Sequence, residues 1–292
     1  MKYNKSKIRT KIRLRFLKYF DRSRYYLYPK FRVARDMTQP DFYREIANDA
    51  LLLNIGAGEF FYHNKWKSYD LYEKYLTDNF EHFNNLDLRD TDASNLLPNS
   101  VDAIYFGHTI EHIPENKLDE LLQFFHSILK QDGILRIVCP NADLIYDAYR
   151  QRRENFFAPY KSWFSARGQL KPSLEDYLLQ LIATPKCQTY TAYDNSKTQI
   201  SNSDVAYAAE TMTKESFLDF LTSDLNEQNS SGTDHLNWFN HEKLRVILEK
   251  NGFNYNKSAF GQSVFPPFRQ VPLFDETMPC ISMYADVSKK KF

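Results

Sequence analysis

The sequence predicts an α/β fold with a doubly wound, mostly parallel sheet and one long insertion. Three observations point there. Apolar runs of strand length alternate with helix-period runs between residues 51 and 140, as in βαβ units. A glycine turn, "NIGAGEF", follows the first apolar run directly. Acidic or imidazole side chains then recur just past the next runs, at the rim where parallel sheets gather their ligand contacts. A chain of 292 residues suits one large domain with appendages, and 42% apolar residues suffice for a core.

The elements follow in order. Leu51–Ile55 reads as the first strand, Lys67–Leu71 as a short second, Phe83–Leu88 as a third. "SVDAIYFGH", Ser100 to His108, is apolar enough for a central fourth strand. In "ENKLDELLQFFHSILKQDG" the residues Leu118, Leu121, Leu122, Phe125, Ile128 and Leu129 share one helical face, and Gly133 stands as the C-terminal stop. "GILRIVCPN" is a fifth strand, ended by Pro140. From about 147 to 232 the pattern loosens into Tyr-, Gln-, Asn- and Ser-rich sequence with weak helices, "PSLEDYLLQLIA" and "TKESFLDFLTSDL". This reads as an insertion rather than a second core, and its Tyr and Phe content suits a substrate lid. "NHEKLRVILEKNGF" is a helix capped by Asn240 and closed by Gly252. Two last strands are expected near Asn254–Phe260 and Ile281–Val287, joined by the Pro-rich "SVFPPFRQVPLFDETMP". The organisation is thus an arm, residues 1–45, and a domain, residues 46–292.

The net charge of +1 hides an asymmetry. Residues 1–35 hold 13 Lys or Arg against one acid, Asp21, for a local charge of +12. Ile8, Ile12, Phe16 and Phe20 add an apolar stripe at i, i+4 spacing. Such a segment can pack on its own domain, lie on an anionic membrane surface, or grip nucleic-acid phosphates. No apolar run approaches a membrane span and no apolar leader is evident. Three widely spaced cysteines, Cys139, Cys187 and Cys280, form no metal or redox pair. A cytoplasmic location is expected, extending to the inner face of a membrane if the arm binds lipid.

The chemistry starts at the glycine turn. Gly56 and Gly58 allow a sharp turn and close approach of a ligand. A dinucleotide fingerprint would place a third glycine where Phe61 stands, and there is no Lys with Ser or Thr for a P-loop. The turn lacks the usual phosphate apparatus. Asp70 ends the second strand, where a carboxylate can hold ribose hydroxyls. Asp87 and Asp92 follow the third strand, and "FGHTIEHIP" follows the fourth.

Together these segments resemble the class I S-adenosylmethionine-dependent methyltransferases. "LLLNIGAG" looks like their first motif, "SYDLY" like the segment with the ribose-binding acid, and "TDASNLLPNSVD" like the adenine-contacting Asp-Ala. "HTIEHIP" and "GILRIVCPN" are similar to the family's fourth-strand exit and fifth strand, and "HLNWFNHEKLRVILEKNGF" to its late helix. The likeness covers roughly 50–140 and 233–290. It implies a Rossmann-like sheet with an antiparallel last strand and S-adenosyl-L-methionine as cofactor. The implied contacts are Asn54, Gly56, Ala57, Gly58, Asp70, Leu71, Gly107 and His108, with adenine held at Asp92 and Ala93 or, in an alternative register, at Asp87. No metal ligand set is expected. The chain departs from the family at Glu59 to Trp66, too short for a full first helix, which leaves open what packs on that side of the sheet.

The cofactor's chemistry fits: it carries no phosphate, and its sulfonium suits carbonyls and acids. Candidate bases for a hydroxyl acceptor are His108, His112 and His235, with Glu111 as partner. The expected reaction is O-methylation of a small molecule or glycan, lipid-linked if the arm binds membranes. RNA methylation is an alternative, though no RNA-binding module is recognisable. A non-catalytic cofactor-binding partner protein is a third reading. A nicotinamide oxidoreductase is weakened by Phe61.

Overall fold

The computed structural model describes residues 40–58, 63–71, 83–88, 95–161, 171–188, 199–226, 228–230, 232–271 and 273–291. The basic stretch of the arm, Phe60 to Tyr62, Asp92 and Ala93 lie outside the described residues.

All seven expected strands form one sheet. They are β1 (Leu52–Ile55), β2 (Trp66–Asp70), β3 (Phe83–Asn85), β4 (Val101–Gly107), β5 (Leu129–Pro140), β6 (Phe253–Ser258) and β7 (Ser282–Lys289). Their order is β3-β2-β1-β4-β5-β7-β6. The pairs from β3 to β5 are parallel, and β7 runs antiparallel to both β5 and β6. The expected Rossmann-like sheet with an antiparallel last strand is therefore present. β1 is buried along its whole length, as its unbroken apolar run requires between two covered faces. β3 is shorter than Phe83–Leu88, because it is an edge strand that pairs only with Ser68 to Asp70.

Helix α1 (Leu118–Ile128) buries the predicted face against one side of the sheet, with Leu53, Ile55, Ile104 and Phe106. Its end differs from the expectation. Leu129 is already extended, at φ −68° and ψ 138°, so the helix stops before Gly133. Gly133 instead serves an irregularity in β5, where the partner of β4 jumps from Leu129 to Ile134. A Cβ there would lie 2.8 Å from Leu129 Cγ and 3.0 Å from the Lys130 carbonyl, so the fold-back needs a residue without a side chain.

The segment after β5 is more than a loose insertion. It contains α2 (Ala142–Arg150), α3 (Glu154–Phe157), α4 (Leu174–Ile182), α5 (Asn202–Thr211) and α6 (Lys214–Thr222). These enclose a hydrophobic cluster of their own around Phe157, Leu178, Val205 and Phe217. Its polarity hid that core, because many of its Ser, Thr and Asp residues cap helices. Ser173 forms a capping box with Asp176, and Ser201 and Thr213 cap α5 and α6. α7 (His241–Lys250) begins at the expected Asn240 cap, whose side chain accepts from Lys243 N at 2.8 Å. Gly252 follows it at φ +83°, the left-handed exit that glycine provides.

Among the described residues, the second face of the sheet is covered by loops, which answers what stands beside the short Glu59–Trp66 connection. Leu52, Ala103, Tyr105 and Tyr284 project to this face and pack on Phe268, Leu273 and Phe274 of the Pro-rich loop. Trp66 stacks edge-on to Phe274, with ring centroids 4.9 Å apart. Tyr43, assigned to the arm by the sequence, is part of this layer. It is buried, and its hydroxyl accepts from Trp66 Nε1 at 2.8 Å and Gln270 Nε2 at 2.7 Å.

Arg136 of β5 fixes this loop to the sheet. It is fully buried, as are Asp275 and Asp286 to within 3%. Nε donates to Asp275 Oδ1 at 2.9 Å, Nη2 to Asp275 Oδ2 at 2.5 Å and Nη1 to Asp286 Oδ1 at 2.7 Å. Nη2 also donates to the Ala259 carbonyl at 3.0 Å. Burial raises the Asp275 carboxyl above its usual range, with Arg136 opposing that shift. Replacing one member of a buried ion group leaves the others uncompensated, at a cost of about 3–5 kcal/mol. Arg136→Met should therefore lower the stability measured by urea unfolding by that order, and an unchanged midpoint would contradict the structural role given to the triad.

Candidate active site

The parallel strands deliver their exits to one rim. β1 ends in Gly56 at φ +71° and Gly58 at φ +61°, conformations that favour glycine. The two differ in surroundings. A Cβ on Gly56 would sit 1.9 Å from Thr109 Oγ1, whereas one on Gly58 would meet nothing within 4 Å. Gly56 is thus needed for packing against the exit of β4, and Gly58 faces open space.

The turn is tied to β2. Gly56 N and Ala57 N donate to the Tyr69 carbonyl at 2.9 and 3.2 Å. Asp70 Oδ2 accepts from Gly58 N at 2.7 Å and Oδ1 from Leu71 N at 2.8 Å. The expected acid is therefore oriented by two backbone donors against the mouth of the glycine turn. Leu86 N donates to the Asp70 carbonyl at 2.9 Å, which carries half-buried Asp87 past the end of β3 on the same rim. Asn54 is buried within β1.

The exit of β4 carries the candidate bases His108 and His112 with their partner Glu111, and the third base, His235, packs against His112 from the segment after α6. Gly107 is confined by Tyr105, whose ring would lie 2.6 Å from an added Cβ. His108 follows at φ +51°, a strained position for a residue with a side chain. His108 N still donates to the Val138 carbonyl at 2.7 Å. Ser282 Oγ donates to the Met278 carbonyl at 2.8 Å, so it accepts from His108 Nε2, also at 2.8 Å. That arrangement turns Nδ1 toward Glu111, whose Oε1 is 3.2 Å away.

Glu111 is 2% exposed, and neither of its carboxylate oxygens has a hydrogen-bond partner. The 3.2 Å contact with His108 is close but not aligned as a hydrogen bond. His112 Nδ1 lies 2.9 Å from the Asp234 carbonyl and His235 Nδ1 lies 2.8 Å from the Leu181 carbonyl. A carbonyl only accepts, so both rings carry their proton on Nδ1. The two rings meet edge to face, 4.9 Å between centroids. Burial pushes the Glu111 carboxyl up, but His108, then His112 and His235, overcome it and bring it down to about 2. Burial, and then His112, lower His235 to about 4 against the opposing charge of Glu111. A buried carboxylate and a neutral imidazole result.

Thr109 joins the two halves of the rim, because it lies between His108 and Glu111 and packs on Gly56. The segment behind α6 closes the group from the other side, where Leu236 N and Asn237 N donate to the Glu111 carbonyl at 2.8 and 3.1 Å. Sequence reasoning missed Thr109 and Ser282. Both are small hydroxyl residues whose roles exist only through distant partners, so no local pattern marks them.

No protein-family model and no curated protein matches the chain. Among solved structures it is similar to a SAM dependent methyltransferase from Archaeoglobus fulgidus, at 13% identity over 94% of this chain and 99% of that one, TM-score 0.41. It is also similar to the CurJ carbon methyltransferase, at 10% identity over 85% of this chain, TM-score 0.40, and spans 51% of that protein's chain. A protein from Rhodobacter sphaeroides described as a Zn-dependent alcohol dehydrogenase matches as well, at 13% identity over 88% of this chain and 90% of that one, TM-score 0.41. These are likenesses of general outline, and the reading of the site rests on its own residues.

The two glycines separate packing from access. Gly58→Ala should cost about 1–2 kcal/mol of left-handed strain. Gly56→Ala should destabilise more, since Thr109 must also move. Equal unfolding midpoints for the two variants would contradict the packing assigned to Gly56.

Proposed function

We propose that the protein is an S-adenosyl-L-methionine-dependent methyltransferase whose acceptor is a small molecule or glycan methylated on oxygen. The observation that carries the reading is the Asp70 carboxylate, held by Gly58 N and Leu71 N at the glycine turn. In a doubly wound sheet this is where a nucleoside's ribose is held. The lack of a third glycine at Phe61 then fits a nucleoside without phosphates. Three acids on the rim, Asp70, Asp87 and Glu111, suit a sulfonium cation better than a pyrophosphate.

In this reading Ala57, Gly58, Leu71, Gly107 and His108 line the cofactor through their backbone, and adenine meets Asp87 or the Asp92–Ala93 segment. The acceptor enters beside His108, Glu111, His112 and His235, under the helices α2 to α6. Methyl transfer is an in-line displacement. The acceptor oxygen attacks the methyl carbon, the carbon–sulfur bond breaks with its electron pair going to sulfur, and the acceptor proton leaves to a base. Positioning alone accounts for on the order of 7–11 kcal/mol in favourable cases.

The basic segment 1–35 supports a further part of the proposal, contact with an anionic membrane surface that brings a lipid-linked acceptor within reach. No helix among the described residues is long and apolar enough to cross a membrane. An RNA substrate would use the same charge.

Calorimetry with S-adenosyl-L-methionine and with NAD tests the reading. Micromolar binding of the first and none of the second is expected, and failure of the folded chain to bind S-adenosyl-L-methionine overturns it. Asp70→Ala removes a charge-assisted hydrogen bond worth about 1.5–3 kcal/mol. Affinity should fall about 10- to 100-fold with the fold intact. Deleting residues 1–35 should abolish pelleting with anionic vesicles and leave cofactor affinity unchanged.

A further inference from the structure

We propose that Glu111, His112 and His235 form a binding site for a first-row divalent metal ion of the Zn2+ class. Its ligands are the Glu111 carboxylate and Nε2 of each imidazole. The site does not depend on the cofactor reading above.

Three independent features support it. The first is proximity. One ligand-type atom from each of the three residues lies within 4.8 Å of the others. A Zn2+ ion with ligands at 2.0–2.1 Å needs them about 3.3 Å apart, so the three must draw together by up to about 1.5 Å when the ion binds. The second is the state of the rings. Both Nδ1 atoms donate to backbone carbonyls, of Asp234 and Leu181. That fixes the tautomer in which Nε2 keeps its lone pair, the outer-shell arrangement that metal-binding imidazoles use. The third is Glu111. A carboxylate 2% exposed with no hydrogen bond on either oxygen is costly to bury. His108 Nδ1 lies 3.2 Å away without forming a hydrogen bond, and a bound cation would balance the charge.

The donor set selects the ion. Two imidazoles and one carboxylate suit Zn2+, Co2+ or Fe2+, and are too nitrogen-rich for Mg2+ or Ca2+. Three protein ligands leave at least one coordination position for water or a substrate oxygen, as in catalytic rather than structural zinc sites. Half-buried His112 gives that position an approach from solvent. The ligands also come from two segments far apart in sequence. An ion would therefore clip the segment at Asp234–Asn237 to the exit of β4.

The competing account is a metal-free buried ion pair, Glu111 with His108, against which His112 and His235 merely pack. Titration of the full chain, stripped with chelator, with Co2+ separates the two. One equivalent should bind and give a visible ligand-field spectrum of low coordination number, displaced by Zn2+. The melting temperature should rise with metal concentration. His112→Asn and His235→Asn should each weaken binding by more than about 100-fold, beyond the loss of an outer-shell partner. Cys280→Ser, at an exposed free thiol, should leave binding unchanged. A folded wild-type chain that binds no Co2+ overturns the proposal, as does binding that survives both histidine variants or disappears with Cys280. If a histidine variant fails to fold, X-ray absorption of the Zn2+-loaded wild type decides. Two imidazoles in the first shell support the site, and none overturns it.

Discussion

The buried guanidinium of Arg136 is the constraint on which the rest of this structure leans. A parallel sheet must be covered on both faces, and among the described residues helices α1 and α7 cover one of them. The other, among the described residues, is closed by an aromatic loop whose own backbone hydrogen bonds are short-range turns and do not tie it to the sheet. Arg136 supplies that hold. It stands in β5, takes Asp286 from β7, and grips Asp275 and the Ala259 carbonyl from the loop. Tyr105 of β4 adds to it by accepting from Asp275 N at 2.8 Å. A long loop can then do the work of a helix layer, because Ala259 at its start and Asp275 near its end are anchored to one buried charge.

The rim depends on this arrangement through β7. Ser282 begins β7 and fixes the His108 ring, so the antiparallel strand that carries Asp286 also sets the orientation of the site. His108, in turn, occupies left-handed space at the end of β4. The surrounding pairs, His108 N with Val138 and Nε2 with Ser282, hold it there. Strain of this kind is retained where the neighbouring structure over-determines it. The site is built from backbone exits of rigid strands, with the insertion's core pressing His235 against it from outside.

The sheet was legible because its strands are apolar runs punctuated by glycine, proline and acids, and each of those signals is local. Asn240 and Gly252 framed their helix for the same reason. What escaped depended on how the elements pair and pack. Gly133 looked like a helix stop, yet its crowding against Leu129 and the Lys130 carbonyl places it in the β5 irregularity. The insertion looked too polar for a core, since its capping residues mask the apolar ones inside. The site was half legible. Its acids and histidines sit at strand exits and declare themselves by position. Thr109, Ser282 and the carbonyls of Leu181 and Asp234 do not, because their meaning comes from residues up to 174 positions away.

The placement of Glu111 links the electrostatics of the two proposed ligands. A sulfonium and a divalent ion are both cations, and setting them close together in a site with little water costs energy unless an anion intervenes. Glu111 is buried, charged and short of donors, and it lies on the segment that also carries Thr109 against the glycine turn. Both histidines beside it turn Nδ1 to a backbone carbonyl, so Nε2 of each is the nitrogen left to meet a metal ion. In the proposed arrangement the same carboxylate would balance a metal on the insertion side, and Asp70 and Asp87 would face the nucleoside. In that arrangement Glu111 would stand between the two cations, while Asp70 and Asp87 would meet the ribose and the adenine from strand exits of their own.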